Sequence, residues 1–167
     1  MTVGQLEREG VSLRWFRSLE PRELLALRHL HDGCHDSRLG FEEAIARLRG
    51  HPFTPRLRGW ACDRLTMADL LEVALRLNAV VPRDRGTTLG ALRRAWHHLS
   101  GAVSRGSDPV VARVARQEQV LLATYELELD RLGEVPYRAT LESHLRVVQR
   151  TCEALGKLRD DRLLPVG

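Results

Sequence analysis

LRHLHDGCHDSRLGFEEA, residues 27–44, supports two readings, and the choice between them settles what kind of molecule this is. Its first ten residues hold three histidines, one cysteine and two aspartates, side chains that bind metals. The same stretch spaces its apolar residues by three and four, the period of an amphipathic helix. Followed in both directions, that period predicts a helix from about Pro21 to Leu48. Its stripe is Leu24, Leu27, His31, Cys34, Phe41, Ile45 and Leu48, and Gly50 with His51-Pro52 ends it.

The rest of the chain repeats the pattern. A second helix is predicted from about Thr54 to Asn78, with Leu57, Trp60, Arg64, Met67, Leu71 and Ala74 inward and Thr54-Pro55 as N-cap and first helical residue. A third runs from Asp108-Pro109 to about Leu132, with Val111, Val114, Glu118, Leu121, Tyr125 and Leu129 on its stripe. A fourth spans about Tyr137 to Arg159, with Leu141, Leu145, Val148, Cys152 and Leu155 inside. At 1.5 Å per residue each is about 35–42 Å long, and matched helices of that length make a four-helix bundle. Short loops at Gly50 and at Gly133-Glu134-Val135-Pro136 join two antiparallel hairpins. The long connection VVPRDRGTTLGALRRAWHHLSGAVSRGS lies between them and carries a short helix of its own, with Leu89, Leu92, Trp96 and Leu99 on one side. Two hairpins and one long crossover give the expected fold: an all-α, ferritin-like antiparallel four-helix bundle with a helical crossover between helices two and three. Residues 1–20 are read as a partly amphipathic N-terminal extension, 21–160 as the bundle and 161–167 as a tail.

Composition sets the outer limits. The chain has 167 residues, enough for one domain with one core, and 43% hydrophobic against 29% charged residues is the balance of a globular protein. No apolar run approaches the roughly 18 residues of a membrane span, and the N-terminus lacks the apolar core of a secretory signal, so a cytoplasmic location is expected. Cys34, Cys62 and Cys152 are odd in number with no CxxC spacing, which argues for reduced thiols over a disulfide framework or zinc ribbon. The net charge of +4 comes from arginines that alternate with acids along helix faces, without basic runs or interleaved aromatics, so nucleic acid is not an expected partner.

In its residues the chain resembles a bacterial group of ferritin-like four-helix-bundle proteins of unassigned biochemical function. The likeness runs from about Leu27 to Asp160. It rests on Asp36, Gly40 and Phe41 with Ala44 in the first helix, and on Gly90, Arg93, Arg94, Trp96 and Leu99 in the crossover. Gly106 and Asp108 precede the third helix, Glu118 and Tyr125 lie in it, and Leu158-Arg159-Asp160 closes the match. Arg93 stands where the group usually has His, Leu70 where it has a further glutamate, and Cys152-Glu153 where it has His-Asp. The resemblance implies a bundle of the oxidative-stress type, with iron as the metal to look for.

A di-iron centre in such a bundle needs a Glu from each of two helices and a Glu-x-x-His from each of the others. The chain contains no Glu-x-x-His. Glu118 is the one acid squarely on a core stripe, and a buried unpaired carboxylate would cost roughly several kcal/mol. Arg64 holds the matching place on the second helix, so a buried Arg64–Glu118 pair is the expected arrangement. The metal alternative draws on His31 and His35, four apart on one face, with Asp36 and Glu118 as further acids and iron or zinc as the ion. His97-His98 beside Trp96 read as surface residues, and Gly86-Thr87-Thr88 lacks the spacing and Lys of a phosphate loop. These readings point to a non-catalytic or stress-associated bundle with no cofactor. It would act by self-association or through a protein partner, with Trp15, Phe16 and Trp96 as contact surface. The alternative is a divergent metal-binding protein of the di-iron type.

Overall fold

The computed structural model describes residues 13–82 and 109–161. After a 3-10 turn at Leu13–Phe16 come four helices: α1 Pro21–Arg47, α2 Thr54–Arg76, α3 Pro109–Leu132 and α4 Arg138–Asp161. The fold is an all-α four-helix bundle, and the helix limits fall within two or three residues of those read from the apolar period. Residues 83–108, which include the expected crossover helix, Trp96, His97-His98 and the Gly90–Leu99 motif, lie outside the described residues, as do residues 1–12 and 162–167.

Helix α1 is the hub: it packs along both α2 and α3, α3 packs along α4, and α2 and α4 touch lightly. Paired contacts give the directions. Glu43 meets Arg113, Ser37 meets Glu118 and His29 meets Glu128, so α1 and α3 run antiparallel. The beginnings of α2 and α3 lie together, because Phe53 and Leu57 share one apolar cluster with Val111 and Val114. Helices α2 and α3 are therefore parallel, and the end of one and the start of the other sit at opposite ends of the bundle.

Local chemistry fixes the ends. The Glu20 N–H donates to Glu23 Oε2 at 2.7 Å, which satisfies a donor left open at the first turn of α1, with Pro21 leading that turn. Thr54 departs from its expected capping role. It is already helical, and its hydroxyl donates back to the Leu48 carbonyl at 2.7 Å, closing the α1–α2 hairpin. At the α3–α4 turn Gly133 takes φ +62°, and Arg138 Nη1 donates to the Leu129 and Gly133 carbonyls at 2.9 and 2.6 Å.

The 3-10 turn packs on the core of the bundle. Leu13 and Phe16 are buried, and Phe16 stacks on Tyr137 with ring centroids 4.8 Å apart. Asn78 at the end of α2 ties this segment down. Its amide donates to the Phe16 carbonyl at 2.6 Å, and its Oδ1 accepts from the Leu19 N–H at 3.0 Å. Phe16 therefore cannot serve as exposed contact surface: the amphipathic piece lays its apolar face on the bundle. Trp15 is half-buried against the same core.

Candidate functional site

The described core has two apolar clusters. A large one contains the ends of α2 and α3 with Phe16, Tyr137 and Leu141; a smaller one contains Phe41, Phe53, Leu57, Val111, Val114 and Leu155. Between them lies a polar layer to which every helix contributes. Arg64 from α2 and Glu118 from α3 are both fully buried, and Arg64 Nη2 donates to Glu118 Oε2 in a close ion pair. Ser37 from α1 donates its hydroxyl to the other carboxylate oxygen, Oε1. The guanidinium also points Nη1 at Met67 Sδ, 3.6 Å away, and lies 6.0 Å from the centre of the Phe41 ring. Its Nε has no hydrogen-bond partner among the described residues.

Beside the pair runs a second string of polar groups. Cys34 Sγ is 3.4 Å from the Tyr125 hydroxyl, which is 3.1 Å from His144 Nδ1 on α4. One assignment satisfies all three: the thiol donates to the phenol oxygen and the phenol donates to the imidazole. Cys152 is buried within the large cluster.

Burial governs the protonation of this layer. It pushes the Cys34 thiol up to about 11, with the Tyr125 hydrogen bond and the Arg64 charge only partly offsetting it. Burial likewise takes Cys152 to about 12 and Tyr125 well above the usual phenol value. His144 falls to about 4, because burial and then the Arg64 charge both disfavour the imidazolium. For Arg64 burial is also the largest influence and works against the charge, yet the charge and hydrogen bond of Glu118 outweigh it and raise the pKa. At neutral pH the layer therefore holds protonated thiols, a neutral imidazole and a charged guanidinium. That combination offers no thiolate nucleophile and leaves Glu118 committed to two hydrogen bonds.

The four candidate metal ligands are placed in three different regions. His31 and His35 face a depression of about 220 Å³ between α1 and α2, shared with Asp69 and Glu72. His31 Nδ1 is 3.3 Å from Asp32 Oδ1, and His35 Nδ1 is buried without a hydrogen-bond partner among the described residues. Asp36 lines a different cleft, between α1 and α3, and Glu118 is in the central layer. The described residues contain no group of three or more His, Cys, Asp and Glu side chains arranged to hold a metal ion. The reason is helical geometry: Asp36 follows His35 by one residue, which turns it about 100° round α1.

The α1–α3 cleft is the larger, at about 500 Å³. Its α1 side includes His29, Asp36, Ser37 and Glu43 with Gly33 and Gly40, and its α3 side includes Arg113, Arg116, Gln117 and Thr124 with Val120 and Leu121. The glycines set how closely α3 approaches. A Cβ at Gly33 would sit 2.9 Å from Leu121 Cδ1, and one at Gly40 would collide with the Gln117 amide. That collision gives a physical reason for glycine in the Asp36–Gly40–Phe41 pattern. Two residues of the polar layer, Ser37 and His144, are absent from the candidates drawn from the sequence. Ser37 has a usable signal, since it follows Cys34 by three on the core stripe; His144 on α4 has none beyond its place near Leu141.

A compact α-helical bundle crossed at mid-height by a buried arginine–glutamate layer is the class of protein these features define. Within that class the chain belongs to the family described as a domain of unknown function (DUF2383), whose pattern matches residues 22–130. That match covers α1, α2 and α3 almost to its end. Comparison with curated proteins and with solved structures gives no match. No helix among the described residues is long and apolar enough to cross a membrane.

Proposed function

We propose that the chain is a ferritin-like bundle in which the Arg64–Glu118 pair takes the place of a di-metal centre. We read it as a non-catalytic cytoplasmic protein that acts through its surface, by self-association or on a protein partner. The observation that carries this reading is the buried guanidinium. A di-iron bundle gathers several inward carboxylates around two cations. Here, among the described residues, one carboxylate faces inward at mid-height, and a side-chain cation already neutralises it. The connectivity supports the ferritin-like part, since two antiparallel hairpins are joined with α2 and α3 parallel. Leu70 is buried where the resembling group carries a glutamate, and Cys152 is buried where it carries a histidine, so two further ligand positions are apolar or hold a protonated thiol.

Metal content after anaerobic loading of the untagged chain with Fe(II) tests the reading. We expect no iron retained at stoichiometric levels through gel filtration. Two irons per chain would overturn the proposal, because Glu118 could not serve both Arg64 and a di-iron pair. Sedimentation at several concentrations tests self-association. Of the expected contact residues, Phe16 is buried and Trp15 is half-buried, so Trp15 carries this part of the reading within the described residues.

A further inference from the structure

Outside the central layer, the depression between α1 and α2 gathers imidazoles that the proposed function does not use. His31 and His35 are four residues apart on α1, so they stand about 40° apart round the helix and about 6 Å apart along it. Both line the depression of about 220 Å³. The neighbour of His31 decides which of its nitrogens is free. Asp32 Oδ1 lies 3.3 Å from His31 Nδ1, and a carboxylate oxygen accepts, so Nδ1 carries the proton and Nε2 keeps its lone pair. A carboxylate behind an imidazole is the arrangement that orients metal-binding histidines and raises their basicity. His35 Nδ1 is buried and has no hydrogen-bond partner among the described residues, a cost that coordination removes. From α2, Asp69 and Glu72 line the facing wall, and their charge favours a cation. Arg38 lines the same depression and opposes one, but its Nη1 donates to Glu42 Oε1 at 2.7 Å, which offsets its charge. The two acids act through charge and not as ligands. Each keeps a partner of its own, and the described residues hold no set of three such side chains arranged round an ion.

We infer that His31 and His35 form a two-imidazole site for a borderline divalent cation of the Zn²⁺ type, with water completing its coordination. Neutral imidazole suits zinc, nickel and copper, whereas magnesium takes oxygen ligands. Two protein ligands make a site weaker than the closed four-ligand zinc sites that hold folds together, so the ion exchanges with solution. Both ligands belong to one helix. The ion therefore leaves the α1–α2 packing and the Arg64–Glu118 layer as they are, and the site is independent of what that layer replaces.

The test is equilibrium dialysis of the full-length untagged chain against Zn²⁺ and, separately, Mg²⁺ at neutral pH, joined to long-range ¹H–¹⁵N spectra of the histidine rings. We expect one Zn²⁺ retained saturably per chain, no Mg²⁺, and movement of the ring nitrogens of His31 and His35 ahead of any other histidine. His35→Ala, at a half-buried position, should abolish that retention. Asp32→Asn should weaken it about tenfold by loosening the hold on the His31 ring. Cys62→Ser should change nothing, since that exposed thiol lies outside the depression. Absence of saturable Zn²⁺ binding overturns the inference, as does retention unaffected by His35→Ala. Zn²⁺ lost with Cys62→Ser, or ring shifts confined to other histidines, places the ion elsewhere and overturns it too. The ring spectra of the wild-type chain decide the matter even if a variant fails to fold.

Discussion

Glu118 and Glu128 lie on the same helix ten residues apart, both nearly inaccessible to solvent, and they are served in opposite ways. Glu118 faces the bundle axis and receives a buried arginine from α2 and a serine from α1. Glu128, about 80° round the helix, sits at the α1 flank. It is met by His29 Nδ1 at 2.9 Å and by Arg131 Nη1 at 3.2 Å, the latter about half-exposed. Burial alone would raise the Glu128 pKa; the hydrogen bond and charge of His29, with Arg131 behind them, bring it below the usual carboxylate value. One glutamate is neutralised from inside the fold, the other from its rim. The first arrangement ties three helices to one register and is costly to break, whereas the second tunes stability with pH at modest cost.

The largest effect should come from breaking the inner pair. Glu118→Ala leaves a guanidinium uncompensated in the core and should cost about 3–5 kcal/mol of unfolding free energy in urea titrations. Arg64→Met with Glu118→Leu removes both charges and should return to within about 1 kcal/mol of the wild type. Equal losses in the single and double variants would show that the pair supplies net stability, contrary to this reading.

The next effect belongs to His144, whose folded pKa of about 4 lies below the ordinary 6.5. The unfolded ring therefore takes a proton first as pH falls. Stability should be level above about pH 6.5, decline between there and about pH 4, and level off again for this group. Discounted for the contact the ring keeps with solvent, the decline should be about 2 kcal/mol. His144→Gln keeps an acceptor for Tyr125 and does not titrate, so its stability profile should lose that slope; an unchanged slope would assign it elsewhere.

The smallest is Glu128. A lowered folded pKa means its contribution is present above the ordinary carboxylate range and disappears as pH falls through the folded value. Glu128→Gln should cost about 1 kcal/mol at pH 7 and flatten acid unfolding in that lower window. A steeper acid transition in the variant would contradict the assignment.

Much of this architecture is legible in the amino-acid order. Every residue of the α3 stripe, from Val111 to Leu129, is buried, because a helix facing one core repeats its apolar residues at the helical period. Arg64 and Glu118 can be matched for the same reason: two charged residues on otherwise apolar stripes need each other. The histidine cluster in residues 29–35 misleads as one site on the same principle, since side chains close in sequence are spread round a helix: His31 and His35 share one depression, while His29 meets Glu128 and Asp36 lines the opposite cleft. Ser37 and His144 acquire their partners only through the packing of α1, α3 and α4. Phe16 reads as exposed surface because nothing in residues 13–16 records that the Tyr137 ring and the Asn78 amide meet it at the end of the bundle.

The helices, their hairpins and the stripe on which each polar residue turns inward follow from period, caps and glycine positions along one chain, so the amino-acid order is enough to specify them. Which inward residues meet is a property of the packed bundle. The register between helices sets it, through contacts such as Gly40 against Gln117 and Ser37 against Glu118, made by residues about eighty positions apart.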